Sequence, residues 1–524
     1  MKLKFKIKIT KSKDCIHYLL AIILSFFLSN SFAEKAIKPV AEKTVLPKSV
    51  IVSLEKNKIP LDSFSVSILR INEKNKNSIQ SLPYLSWRAT EAMNPASTMK
   101  LLTTISALDL LGPQYQWRTN LFTDGVIDKG ILKGNIYLQG TGDPKLVPEE
   151  FERLMKQLQG LGIQKIDGNL IFDRSAYATS VMGTNTIDGE SNRSYNVAPD
   201  ALLYSFKTLS FQISKAKQTD YIDISVTPAL AGFRIQNDLS LNNQPCDAWK
   251  KNLNFDIFPD FSQTKSGPPS LVAKFSGSFP ASCGSTTYNL VTLDPDTLLT
   301  KGFTAAWELA GGTWIKQPTG KDGLVPISAR PPLNFSGSQL DNDIQDINKF
   351  SNNVMARQLF LTIGLEKIGK PASISNSEIV VKAWLKEQKL DFPELIIENG
   401  SGLSRNESIS AQHLTELLVA ARKLPTSDIF FNSLPIAGAD GTMKNRLITQ
   451  LRKFLHIRKK PEVRMKTGSL ADVKSISGYV ISKSGNLYAV TSFINHPNAW
   501  KGNEAHDQLL AWLLEDGPEP KQAR

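Results

Sequence analysis

Ser97 and Lys100, in the stretch AMNPASTMKLLTT (residues 92–104), stand three apart in front of an apolar run. On a helix that spacing puts the hydroxyl and the amine on one face. An amine whose pKa is lowered by burial or by a nearby positive charge can take a serine's proton, which gives a nucleophile that needs no histidine. The spacing alone is cheap: S-x-x-K recurs at Ser53, Ser214 and Ser262, so a solvated helix face explains it equally well. Other chemistries lack their residues. There is no HExxH, no CxxC, no Gly-rich phosphate loop and no G-x-S-x-G, and of the histidines only His413, His456, His496 and His506 lie beyond the first 33 residues, in no triad or ligand spacing. No metal and no cofactor is expected.

Two later stretches change the weighing. FSNNVMA supplies Ser351 and Asn353, and RMKTGSL supplies Lys466, Thr467, Gly468 and Ser469. S-x-N also occurs at Ser194, Ser240, Ser404 and Ser484, and Lys-Ser-Gly at Lys265 and Lys483, so each motif is weak by itself. Their order and setting carry more. The first lies at a helix start after Pro95, the second beside a helix, the third on a strand that opens a C-terminal hairpin.

The elements that must hold these residues are legible as patterns. Phe64, Val66 and Ile68 alternate as in a half-buried strand, and a second extended piece follows around YLSWR. Leu101, Leu102, Ile105, Leu108 and Leu111 make one apolar helix face, closed by Gly112-Pro113. Ser97 then falls in the first turn, where free backbone N–H groups and the positive end of the dipole favour developing negative charge. Residues 117–325 change texture to short strand-like pieces between Gly, Asn, Asp, Ser and Pro turns. They read as one or two β-rich modules inserted into another domain. Helical patterns return with DINKFSNNVMARQLFLTIG, and the chain closes with a hairpin, SISGYVISKSGNLYAVTSFIN, and the helical EAHDQLLAWLLED. The fold class is therefore α/β: one sheet domain covered by helices, in two parts at 59–116 and 326–524, interrupted by the insert.

S-x-x-K, then S-x-N, then K-T-G is the motif set of the serine penicillin-recognising enzymes. With Ser351 standing 254 positions after Ser97, and with NPASTMKLLTT, GTGDPKL, ENGSGLSRNESIS, GADGTMKNR and MKTGSL…SISGYV in order, the chain resembles one branch of them. That branch is the class C low-molecular-mass penicillin-binding proteins, the D-alanyl-D-alanine carboxypeptidase/endopeptidase family of penicillin-binding protein 4. The resemblance implies a β-lactamase/transpeptidase-like domain and a peptidoglycan hydrolase, acylated by β-lactams. Ser97 would attack the penultimate D-alanine with Lys100 as proton acceptor. Ser351 would relay a proton to the leaving amine, Asn353 would position Lys100 and the substrate amide, and Lys466 with Thr467 would bind the terminal carboxylate. Gly468 would let the strand approach the substrate, and the N–H groups of Ser97 and Ser469 would form the oxyanion hole. Asp143, in GTGDPKL, and Arg405, in SGLSRNE, would meet the zwitterionic end of a diamino acid; each is otherwise a turn aspartate and a surface arginine. Ala471 replaces a polar residue found in some relatives, which affects the side-chain pocket. A β-lactamase or esterase on the same scaffold and a non-catalytic peptidoglycan-binding protein are the alternatives.

Composition sets the compartment. Six lysines, an apolar run from about Ile16 to Leu28 and Ser31-Phe32-Ala33 form the layout of a secretory signal peptide over residues 1–33, followed by a leader over 34–58. The apolar run is shorter than a membrane span, so cleavage and export to the periplasm are expected, with no transmembrane span afterwards. Cleavage lowers the formal charge from +13 to about +8, so much of the basic excess is targeting signal and no nucleic-acid partner is implied. Cys246 and Cys283 remain as an even pair in an oxidising compartment, where a disulfide is expected.

Overall fold

Five strands make the sheet that organises the site: β1 (Phe64–Glu73), β2 (Ile79–Trp87), β3 (Glu462–Leu470), β4 (Val473–Ile481) and β5 (Leu487–Asn495), in the order β2-β1-β5-β4-β3 and antiparallel throughout. The computed structural model describes residues 45–73, 79–183, 186–216, 221–262, 269–329, 333–457 and 460–517. All of them belong to one compact unit, Thr44–Arg524. The expected signal peptide and the start of the leader lie outside the described residues.

The two-residue period of β5 assigns its side chains. Ala489 and Phe493 enter one core, and Tyr488, Val490 and Ile494 enter the other. Both faces are thus covered, so β4 and β5 are buried almost throughout. On the first face pack α2 (Lys100–Leu111), α3 (Leu340–Phe350), α4 (Asn353–Lys367), α5 (Ile374–Glu387) and α6 (Ala411–Ala421). On the second lie α1 (Lys48–Lys56) and α7 (Asn503–Leu514). Helix α1 departs from the leader reading of residues 34–58. Its Val50 and Leu54 are buried against α7, and Lys56 pairs with Glu504 at 2.9 Å. The expected helix around Lys100 is present, and it ends at Gly112, whose φ of 83° suits glycine.

The inserted part is β-rich as expected, with two helices the sequence reading missed, Pro148–Gly160 and Pro295–Leu309. One five-stranded sheet runs Gly320–Asp322, Leu170–Asp173, Ile136–Gly140, Gln116–Thr123 and Leu333–Gln339. Its last strand lies beyond residue 325, so pairing within the insert's sheet extends up to the start of α3. Smaller sheets complete the insert, and one buried cluster, including Leu138, Phe172, Phe211, Phe275 and Phe335, runs through it. Cys246 and Cys283 are bonded and join two 3-10 turns. Among the described residues no helix is long and apolar enough to cross a membrane.

Candidate active site

Ser97 lies in a 3-10 turn, Ala96–Met99, that runs directly into α2. The turn is clamped. Asn94 accepts from the Ala96 N–H at 2.9 Å, donates to the Ser404 carbonyl at 2.9 Å, and is tied to Asn495 at the end of β5. The Pro95 carbonyl accepts from Thr98 Oγ1 at 2.7 Å and from Ser475 Oγ at 2.6 Å. Two glycines allow the surrounding chain to press this close. A Cβ on Gly468 would fall 2.1 Å from Ser475 Oγ and 2.9 Å from Ser97 N; one on Gly402 would fall 1.8 Å from the Ala96 carbonyl oxygen.

Lys100 is fully buried, and its Nζ meets three oxygens: Ser97 Oγ at 2.9 Å, Asn353 Oδ1 at 2.6 Å and the Ser401 carbonyl at 2.5 Å. Burial, chiefly, and then the charge of Lys466 hold its pKa well below the ordinary lysine value; Glu407 pulls the other way and Arg357 adds to the lowering. A neutral amine has two hydrogens and one lone pair. Asn353 Oδ1 and the Ser401 carbonyl can only accept, so they use both hydrogens and leave the lone pair facing the serine hydroxyl. That is the arrangement of a general base with its nucleophile.

Ser351 follows α3 in the left-handed conformation, φ 57°, and Asn352 caps α4 by accepting from the Met355 N–H at 3.1 Å. This abrupt turn brings Ser351 Oγ within 2.7 Å of Lys466 Nζ on β3, which also donates to the Thr467 carbonyl at 2.8 Å. Burial brings the Lys466 amine down to about 7. Thr467 bonds Thr442 at 2.8 Å, and Ser469, exposed on the strand edge, accepts from Lys474 at 2.6 Å. Ser97, Lys100, Ser351, Asn353, Lys466 and Gly468 are therefore brought together from three separate segments, with Thr467 and Ser469 on the same strand as Lys466.

Asp143 is not part of this cluster. It is buried in the insert beside the strand Leu333–Gln339, where a Cβ on Gly337 would fall 2.1 Å from its Oδ2, and it accepts from the Lys145 N–H at 2.8 Å. Its electrostatic neighbours are Asp343, Glu150 and Lys145, and burial raises its pKa to about 7. Buried there, it is held apart from the catalytic side chains. Arg405 lies on the surface and pairs with Asp472 at 2.5 Å, beside Ala471. It lines a cleft of about 590 Å³ with Arg357, Phe360, Glu398 and Asn399.

Three supports escaped the sequence reading. Glu407, fully buried, accepts the N–H groups of Glu398, Asn399 and Gly400 and so builds the loop that offers the Ser401 carbonyl to Lys100. From the insert, the Tyr195 carbonyl accepts from Asn353 Nδ2 at 3.1 Å. Asp188 in turn accepts from the Tyr195 hydroxyl at 2.6 Å and from Asn196 at 2.7 Å. The block ENGSGLSRNESIS contains Glu407, but nothing in its spacing marks that carboxylate; a backbone carbonyl leaves no mark at all.

The profile of the D-Ala-D-Ala carboxypeptidase 3 (S13) family matches residues 75–515. D-alanyl-D-alanine carboxypeptidase DacB of Haemophilus influenzae is 24% identical over 80% of this chain and 84% of its own length. A D-alanyl-D-alanine carboxypeptidase of an Actinomadura species is 26% identical over 76% of this chain and 72% of its own. Among solved structures, penicillin binding protein 4 (dacB) from Haemophilus influenzae superposes with a TM-score of 0.65 at 23% identity, covering 89% of this chain and 99% of that one, so the fold is shared. The same protein is also known in complex with a β-lactam, with a TM-score of 0.60. With its profile spanning both parts of the sheet domain and the insert between them, the chain belongs to the D-Ala-D-Ala carboxypeptidase 3 (S13) family and is a D-Ala-D-Ala carboxypeptidase, a hydrolase.

Proposed function

We propose that the protein cleaves D-alanyl bonds in peptidoglycan stem peptides and cross-links through an acyl-enzyme on Ser97. The observation that carries this is the lone pair of Lys100, left free toward Ser97 Oγ because the other two oxygens around Nζ are pure acceptors. Lys100 takes the hydroxyl proton as Ser97 Oγ bonds the carbonyl carbon of the penultimate D-alanine. The oxygen of that carbonyl gains negative charge opposite the N–H groups of Ser97 and Ser469. As the C–N bond breaks, the proton passes through Ser351 to the leaving amine, and water then hydrolyses the ester with Lys100 again as base.

Lys466 supports two steps. Its charge disfavours protonation of Lys100, and with Thr467 it offers a cationic, hydrogen-bonding edge to a terminal carboxylate. Arg405, which lines the 590 Å³ cleft and pairs with Asp472, faces the acyl-side stem peptide. A β-lactam, whose strained amide enters the same attack, would acylate Ser97. Such a substrate lies outside the cytoplasmic membrane, in keeping with the export signal read in residues 1–33, and a periplasmic site of action follows.

The test is to expose the protein and Ser97→Ala to a fluorescent penicillin and to a pentapeptide ending in D-Ala-D-Ala. We expect stable labelling and D-alanine release from the first and neither from the second. Rapid β-lactam turnover without peptide cleavage would instead make it a β-lactamase.

A further inference from the structure

A second cleft, of about 510 Å³, shares no lining residue with the one lined by Arg405 and reaches the catalytic cluster at Ser351 and Asn353. Ser351, Asn352 and Asn353 form one wall; the insert forms the other with Ser194, Tyr195, Phe206, Thr208 and Asn289. Phe350 stands at its lip, 68% exposed, and Tyr195 is 42% exposed. Among the described residues no lysine or arginine lines it, and Glu149 is its single carboxylate. The chemistry offered is aromatic contact and amide or hydroxyl hydrogen bonding, which suits the amide backbone and methylene side chains of a peptide.

The segment that supplies Phe206 is built at a cost. Ser205, Phe206 and Lys207 are consecutive non-glycine residues in the left-handed region, with φ of 47°, 53° and 51°. Such strain persists only where the surroundings over-determine it. Here Lys207 is buried and pairs with Asp200 at 3.1 Å, Asp200 is held by Arg174 at 2.9 Å, and the Ser205 N–H donates to the Leu146 carbonyl at 2.8 Å. The outcome is a phenyl ring seated against Val197 and Val354, the latter next to Asn353 on α4. Nothing in the acyl-transfer cluster requires this ring.

We propose that this cleft binds the amine-side stem peptide of a cross-link, and that Phe206 and Phe350 are specificity residues for endopeptidase action. The inference rests on the acyl-transfer reading, in which Ser351 hands a proton to the leaving amine. A pentapeptide's leaving group is a single D-alanine and ends beside Ser351. A cross-link's leaving group is an entire peptide attached through a side-chain amine, and it must continue past Ser351. The cleft that begins at Ser351 is the space it continues into.

The experiment compares full-length protein with Phe206→Ala and Phe350→Ala on three probes: a D-Ala-D-Ala pentapeptide, a stem-peptide dimer joined from D-alanine to a diamino acid side chain, and a fluorescent penicillin. We expect kcat/KM on the dimer to fall about tenfold in each variant, the scale of one lost pocket contact, with pentapeptide cleavage and penicillin labelling within about twofold of the parent. Parallel loss on dimer and pentapeptide in both variants would overturn the proposal, as would no loss on either or a parent protein that does not cleave the dimer. Phe350, being exposed, keeps the test usable if Phe206→Ala folds poorly. Ser97→Ala separates the underlying reading, since its failure to abolish labelling would sink acyl transfer whatever the cleft does.

Discussion

At the scale of single residues, the site depends on which groups carry protons. In the proposed mechanism Lys100 must be neutral to act as a base, which rising pH favours, whereas Lys466 would bind a carboxylate only while charged. Because the Lys466 amine is brought down to about 7, it is an ammonium below that pH and neutral above it. For the free enzyme, kcat/KM on a peptide ending in a carboxylate should therefore fall as pH rises through about 7, relative to the same peptide ending in an amide. Parallel profiles for the two peptides would contradict this. Gly468 gives a second prediction. A methyl at Gly468→Ala meets Ser475, Pro95 and Ser97 at once, and the displacement of the nucleophile should slow penicillin acylation by about 100-fold. The side chains at the centre were legible because order and setting lent weight to three individually weak motifs. Asp143 stands buried apart from that centre, and an Asp-Pro turn looks the same in sequence whether it faces a ligand or a core.

At the scale of elements, the joint between the insert and α3 contains two buried acids, Asp143 and Asp343, with pKa values raised by burial to about 7 and about 6. An unfolded aspartate loses its proton near pH 4, while the folded Asp143 keeps it until about pH 7. The folded state thus binds more protons in between, and its advantage, complete at low pH, is lost as pH rises through about 7. Asp143→Asn removes that dependence. It should be more stable than the parent above pH 7, by on the order of a few kcal/mol in chemical unfolding, with the difference vanishing toward pH 4. An unchanged pH dependence would refute the assignment. Among the elements, α2 and the C-terminal hairpin were readable from periodicity and turn residues. Helix α1 was not, because nine residues with Val50 and Leu54 inward have meaning only against α7. The strand Leu333–Gln339 likewise gains its identity from a partner some 200 residues away, Gln116–Thr123.

At the scale of the whole molecule, the three largest cores among the described residues lie one on each face of the β1–β5 sheet and one within the insert, and two smaller clusters join the insert to α4 and the chain just after it. The disulfide Cys246–Cys283 belongs to the insert alone and closes a sequence separation of 37 residues. Its removal by Cys246→Ser with Cys283→Ser should destabilise the insert by about 2–4 kcal/mol. Penicillin labelling of the native protein should change little, and a calorimetric trace should show the insert's transition moving down alone. A single transition shifting as one, with labelling lost, would mean the cores are not separable. The fold class, the interruption and the disulfide were all legible in the sequence. How the insert touches the site was not, since it does so largely through backbone atoms and a strained loop.

The bond from Asn353 Nδ2 to the Tyr195 carbonyl has a further effect. An asparagine amide is a nearly symmetrical fork, and rotation by half a turn exchanges its oxygen for its NH2. The carbonyl of Tyr195 can accept and cannot donate, so it keeps the NH2 tine on the insert side and the oxygen tine on Lys100. Withdraw that carbonyl by moving the loop, and the fork is free to reverse, presenting an N–H to the lone pair of the lysine. The amine would then be occupied as an acceptor and unable to receive the serine's proton, with every catalytic side chain still in place. In the proposed mechanism, one peptide carbonyl of the insert would thus serve as a safety catch on the nucleophile.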